Sequence, residues 1–233
     1  MNYKIITDIE KLNRFVEWLP ELKMNEIFYG CLFARKKYCP DLVHSSDKTQ
    51  LKRFTFKKHN LIDKIRQLEC AEGSFKLKEN VIPNDALVLY VAPNPRCEKK
   101  ATFALMKDLV DLIQHSSQGY SLHQEALSAI QRAKGSTYVV DFDFDFKDCT
   151  GLGRDELIKG FNRFINQDAL SILETRGGMH VMVHPDKVEK RFQKFWHRGF
   201  TEYDILDQSG DMLIPCPGTT QGGFTPKLIQ YAG

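Results

Sequence analysis

The sequence predicts an α+β protein with a mixed sheet: an N-terminal αβ lobe followed by a strand-rich lobe. Three observations predict it. Helix-like and strand-like segments alternate through the first half, and short strands predominate after residue 135. The stretch TYVVDFDFDFKD, residues 137 to 148, alternates apolar and acidic residues with the period of a strand.

Taken in chain order, Thr7 or Asp8 caps a helix through IEKLNRFVEWL, which ends before Pro20. EIFYGCLFA reads as a strand, and the segment from Arg35 to Asp47, with Pro40 and Ser45-Ser46, as a loop. LKRFTF is a second strand, and NLIDKIRQLECAE a helix. ALVLYVA, residues 86 to 92, is a continuous apolar run of strand length, which predicts cover on both faces. After PNPR come two helices, ATFALMKDLVDLI and HQEALSAIQRA. The acidic strand is followed by helical GRDELIKGFNRFI, strands LSILET and MHVMVH, and PDKVEKRFQKFWHRG, with proline where a helix begins and glycine where it ends. YDILD, DMLIPC and TPKLIQYA close the chain as strands. Lys134-Gly135-Ser136 is the expected seam, with one lobe over 1–134 and the other over 135–233, the two sharing a core.

At 233 residues with 42% hydrophobic and 27% charged residues, the chain is an ordinary globular protein with room for one sizeable core or two lobes. No apolar run approaches the ~20 residues of a membrane helix, and MNYKIITDIEKLNRF lacks the apolar centre of a signal peptide, so no membrane partner and a cytosolic location are expected. Cys31, Cys39, Cys70, Cys97, Cys149 and Cys216 form no C-x-x-C pair, which argues against structural zinc.

The acidic strand carries the chemistry. Asp141, Asp143 and Asp145 would share one face, with Val140, Phe142, Phe144 and Phe146 on the other. Like charges this close need solvent, basic neighbours or a divalent cation. A solvated edge strand meets that need, and so does magnesium or manganese held by oxygen ligands. In LETRGGMHVMVHP, Gly177 and Gly178 make a turn whose backbone N–H groups can approach an anion, with Arg176 before it as a phosphate ligand. His180 points to the face opposite Met179 and Val181. In YDILDQSGDMLIPCPGTTQGG, a strand ending in Asp207 turns at Gln208-Ser209-Gly210, and the next strand runs into Pro217-Gly218-Thr219. Basic residues cluster in the first half: Arg35, Lys36, Lys37, Lys48, Lys52, Arg53, Lys57, Lys58, Lys64 and Arg66, with Phe54 and Phe56 interleaved, as in grooves that follow nucleic acid.

The order of these motifs resembles the archaeo-eukaryotic primase superfamily, in particular primase-polymerases of phage, plasmid and CRISPR-associated type. Val139-Val140-Asp141-Phe142-Asp143 matches the first family motif, Gly178-Met179-His180 the second, and Asp207 the third, with Pro-Gly-Thr after it. ALVLYVAPNPR is similar to the strand and loop preceding the core, and the resemblance spans roughly residues 86 to 231. It implies an RNA-recognition-motif-like catalytic sheet and nucleotidyl transfer from nucleoside triphosphates on a single-stranded DNA template, with a replicative helicase as a further partner. Asp141, Asp143 and Asp207 would hold Mg2+ or Mn2+; His180, Arg176, Gly177, Gly178 and Lys227 would meet the triphosphate. The basic surface with Arg96, Lys52, Arg53, Lys57 and Lys58 would face template. Asp145 leaves the choice of two acids from three open, and Asp211 competes with Asp207. The family's zinc-binding cysteines are missing. A non-catalytic single-strand-binding or replication-initiator module and a metal-dependent nuclease are the alternatives.

Overall fold

The structure, a computed structural model, describes residues 1–40, 47–115, 119–145 and 154–230. Ser45, Ser46, Phe146, Cys149, Gly153, Tyr231 and Ala232 lie outside the described residues. Helix α1 (Ile9–Trp18) starts where Asp8 accepts the Lys11 backbone N–H at 3.0 Å, and it buries Leu12, Phe15 and Trp18, spaced three apart on one side. Strands β1 (Glu26–Arg35) and β2 (Lys48–Phe56) follow, then α2 (Leu61–Arg66), a small hairpin of β3 (Lys76–Leu77) and β4 (Asn80–Val81), and β5 (Leu87–Val91). Every residue of β5 is buried, as its unbroken apolar run predicts. Strand β6 (Arg96–Cys97) leads into α3 (Glu98–His115) and α4 (Leu122–Arg132).

The second half runs β7 (Val140–Asp145), α5 (Arg154–Phe161), β8 (Leu170–Glu174), β9 (Gly178–Val183), α6 (Trp196–Thr201), β10 (Leu206–Gly210), β11 (Ile214–Pro215) and β12 (Lys227–Gln230). Its sheet has the order β10-β7-β9-β8-β12, and the first sheet the order β11-β5-β1-β2, with β6 also on β1. The fold is α+β, but the mixed sheet is not found. All pairings among the described strands are antiparallel; in the second sheet α5 carries the chain from β7 to β8 past β9, and α6 carries it from β9 to β10 past β7.

Strand β7 lies between β10 and β9, so the acidic strand is central and the edge-strand reading falls. Phe142 and Phe144 point into a core with Leu157 and Phe161 of α5, Phe200 of α6, and Met179 and Val181 of β9. Burying each phenylalanine contributes roughly 1.5–3 kcal/mol. The helix expected over PDKVEKRFQKFWHRG forms only at its end: Lys187, Val188, Phe192 and Phe195 bond three residues back, and the turns lower Val188 and Phe192 into that core. Strand β10 also departs from expectation, since Gln208-Ser209-Gly210 pair with Asp143, Phe142 and Asp141 instead of turning.

The opposite face of the second sheet contributes Leu173, Met182 and Leu228 to a larger core with Leu12, Phe15, Phe28, Leu32 and Leu89 of the first half. Backbone pairing and close packing both cross the proposed boundary at 134/135. Strand β11 pairs with β5 of the first sheet, and Gly135 passes so close to Pro95 that an added Cβ would meet its carbonyl oxygen at 2.7 Å. Asn94 fastens the crossing: its side-chain oxygen accepts the Tyr138 and Val139 N–H groups at 2.7 and 2.9 Å, and its NH2 donates to the Val139 carbonyl at 2.8 Å. Among the described residues no helix is long and apolar enough to cross a membrane, and Cys31, Cys39, Cys70, Cys97 and Cys216 are free thiols.

His184 stands where the halves meet. Its Nε2 lies 2.9 Å from Ser171 Oγ, which accepts the Trp18 indole N–H at 2.9 Å, and its ring packs edge-on against Trp18 and Tyr138. Burial, then the charge of Lys187, pushes its pKa down to about 4. A histidine depressed in the folded state favours its neutral form there, so stability is complete above the unfolded value of about 6.5 and is lost as pH falls from there towards 4. The expected loss is on the order of 3 kcal/mol. Thermal melting between pH 7.5 and 4.5 should show this fall, and His184→Gln should flatten it.

Candidate active site

A cleft of about 360 Å3 opens between the two sheets, within the roughly 300–1,000 Å3 range of small-ligand sites. On the second-sheet side it is lined by Asp143, Asp145, His180 and Asp207, with Gly177 and Gly178 at the β8–β9 turn. On the first-sheet side stand Arg35, Lys37, Lys48, Phe33 and Tyr90. An acidic wall thus faces a basic one.

Register explains the acidic wall. Asp145 pairs with Gly178, Asp143 with His180 and Asp141 with Met182 along β9. On the other side, the pairing of β10 with β7 shifts between Leu206 and Gln208, and Asp207 is the extra residue of that bulge. The bulge sets Asp207 level with Asp143 and Asp145, while Asp141 lies opposite Gly210, deeper in the sheet. Glycine is required at 178, where a Cβ would sit 1.9 Å from the Phe144 carbonyl oxygen.

Asp141 is 1% exposed, and its Oδ2 lies 2.8 Å from His180 Nδ1; its Oδ1 is buried with no partner among the described residues. His180 Nε2 is 3.6 Å from Asp143 Oδ1, so the imidazole stands between two carboxylates. Burial alone would lower the His180 pKa, but the Asp141 charge and hydrogen bond, then Asp143, hold it above the ordinary histidine value. Burial holds the Asp143 carboxyl above the usual range; His180 pulls it down, and Asp141, Asp207 and Asp145 push it up again.

The basic wall is anchored. Arg35 is buried, donates through Nη2 to Asp47 Oδ2 at 2.7 Å and through Nη1 to the Tyr90 hydroxyl at 2.7 Å. Its register partner is Lys48 on β2. Burial and then Arg35 hold the Lys48 ammonium below its usual pKa, with Asp47, Asp143 and Asp207 acting in the opposite sense. The two walls therefore act on each other across the cleft.

The structure gathers His180, Gly177, Gly178, Asp143, Asp145 and Asp207 at the cleft, sets Asp141 beneath it against His180, and places the other expected residues elsewhere. Asp211 forms a buried ion pair with Arg96 at 2.5 Å and accepts from Asn94 at 3.1 Å, which removes both Asp211 from the cleft and Arg96 from any template surface. Lys227 pairs with Glu174 at 3.1 Å between β12 and β8, on the face that Met179 and Ile172 share and opposite the acids. Arg176 lies over the Tyr38 ring at 4.6 Å and donates to the Gly222 carbonyl at 2.5 Å, so it holds the 221–222 turn. Gly218 of the Pro-Gly-Thr turn accepts the Thr7 and Asp8 N–H groups at 3.0 Å, against the start of α1. Arg53 donates to Ser128 Oγ at 2.7 Å, and Lys58 to the Leu19 carbonyl at 2.8 Å; Lys52 and Lys57 are exposed.

Sequence reasoning missed Arg35, Lys37 and Lys48 as cleft residues. The available signal was position: Arg35 closes one strand and Lys48 opens the next, which puts both at the same sheet end. Among the described residues no three His, Cys, Asp or Glu side chains already stand in metal-ligating geometry. No family model, curated protein or solved structure matches the chain.

Two substitutions separate the roles of the acids in the metal-free protein. Asp143→Asn removes a crowded charge and should raise the melting temperature at pH 7.5. Asp141→Asn weakens the charge-assisted bond to buried His180 and should lower stability by roughly 1.5–3 kcal/mol. Thermal and urea melts of both variants measure the difference; equal effects would contradict the assignment.

Proposed function

We propose that this chain is a metal-dependent nucleotidyltransferase of the primase-polymerase kind, joining nucleotides on a single-stranded DNA template. The observation that carries this reading is the cleft in which Asp143, Asp145 and Asp207 face Lys37, Lys48 and Arg35. The succession β7-α5-β8-β9-α6-β10 with sheet order β10-β7-β9-β8 supports it, being the β-α-β-β-α-β arrangement of an RNA-recognition-motif-like sheet.

The donor set fits a hard divalent cation. It offers carboxylate oxygens without thiols, and a cation would offset both the burial that holds the Asp143 carboxyl above its usual range and the neighbouring charges of Asp207 and Asp145. Asp143, Asp145 and Asp207 would hold Mg2+ or Mn2+, which revises the expected trio in favour of Asp145 because Asp145 lines the cleft while Asp141 is buried beneath it against His180. Bound there, the metal would acidify an attacking hydroxyl and stabilise departing pyrophosphate.

The protein's own groups do the rest. Lys37 and Lys48 neutralise triphosphate oxygens from the opposite wall, and Arg35, fixed by Asp47 and Tyr90, keeps that wall in place. Asp141 engages His180 Nδ1, which leaves Nε2 turned towards Asp143 and a phosphate oxygen in the cleft. Lys52 and Lys57 remain exposed for template phosphates, so template binding should weaken steeply with salt.

Incubation with a primed template, nucleoside triphosphates and manganese tests the reading. Extension supports it; shortening of the strand indicates a nuclease, and retention without change a binding module. Asp143→Asn should reduce extension at least a hundredfold, and Lys48→Ala should raise the KM for nucleotide about tenfold.

Asp207 and Asp211 should separate cleanly. Asp207→Ala should lose manganese-dependent nucleotide binding with a melting temperature no lower than the parent's. Asp211→Ala leaves Arg96 buried and unpaired, at a cost of about 3–5 kcal/mol, yet should retain nucleotide binding below its melting point. Calorimetric titration and thermal melting read the two effects.

A further inference from the structure

Helix α3 carries an apolar stripe that the fold leaves uncovered. Phe103, Met106, Val110 and Ile113 are 64%, 60%, 52% and 70% exposed, and their spacing of three, four and three residues places them along one side. The other side is already used. Ala101, Ala104 and Leu105 pack against Ala129 and Ile130 of α4 and Ala133 just after it, and Asp108 pairs with Arg132 at 2.5 Å. Helix α4 in turn is held to the first sheet by Arg53, through Ser128 and the Gln124 carbonyl. Helix α3 is therefore an outer layer with a rigid footing, and its exposed stripe has the repeat that receives another helix.

Charge selects the occupant. Lys99 continues the stripe one turn before Phe103, and Lys107 borders it between Phe103 and Val110. Lys100, whose ammonium donates to the Lys134 carbonyl at 2.9 Å, stands on the same border, where Asp111 is the acid one turn beyond Lys107. A second copy of this chain in parallel pairing would set Lys99 against Lys99 within the apolar seam, whereas an acidic helix would give that lysine and Lys107 opposite charge. We infer that α3 docks an amphipathic helix of a different protein, apolar along one side and bordered by glutamate or aspartate.

Two synthetic helical peptides test this on the full chain, both with leucine at the apolar heptad positions, one bordered by glutamate and one by lysine. Fluorescence anisotropy should show the acidic peptide binding at least tenfold more tightly than the basic one, with affinity falling as salt rises. Phe103→Ser with Ile113→Ser should weaken it at least tenfold, and Lys107→Glu should reduce the preference for the acidic peptide. Both variants should keep the parent melting temperature, because these side chains are largely exposed. Equal binding of the two peptides, no binding of either, or a stripe buried in a homodimer at micromolar concentration by sedimentation velocity would overturn the inference.

Discussion

Three carboxylates in alternation on a central strand impose the constraint around which the second lobe is arranged. Strand β7 cannot send Asp141, Asp143 and Asp145 freely to solvent, because the face they share with Leu173 and Met182 is turned towards the first sheet and its core. Each acid is accommodated differently. Asp141, the most deeply placed, is paired with an imidazole whose proton its charge retains. Asp143 and Asp145 open onto the cleft, where Lys48 and Arg35 supply opposite charge from the other sheet. The same alternation that aligns the acids turns Phe142 and Phe144 into the core, so strand register and site geometry have a single origin.

That arrangement works only if the two sheets keep a fixed separation, and a polar latch at the crossing between them provides it. Asn94 pairs with backbone groups just before β7 much as a neighbouring strand would. Arg96 with Asp211 ties the same loop to the segment after β10. Glu26 adds a third tie by accepting the Ser136 N–H at 2.8 Å. Buried polar groups of this kind contribute modestly when paired but cost heavily when one partner is lost, which favours one relative placement of the lobes over its neighbours. The PNPR sequence, whose resemblance to a family loop pointed only towards function, has a mechanical role in this chain.

The division of basic residues follows from the same packing. Of the cationic cluster in the first half, Arg53 and Lys58 bind helices, Arg35 braces the cleft, Lys37 and Lys48 line it, and Lys52 and Lys57 stay exposed. A cluster that reads as one nucleic-acid surface along the chain is thus divided four ways in space.

Local periodicity determined much of this protein. The α+β class, the capped first helix, the fully buried fifth strand, the common face of the three acids and the placement of His180 opposite Met179 and Val181 all follow from side-chain alternation and helical spacing, which depend only on near neighbours in the sequence. Tertiary structure decided the partners. That Asp211 meets Arg96, that Lys227 lies on the far face, that Asp145 rather than Asp141 opens onto the cleft beside Asp207, and that Arg35 and Lys48 face them, depends on register and bulges between segments distant in the chain. A shift of one residue in such a register turns a side chain to the opposite face, and only the packed core, by burying one face and not the other, selects among the registers.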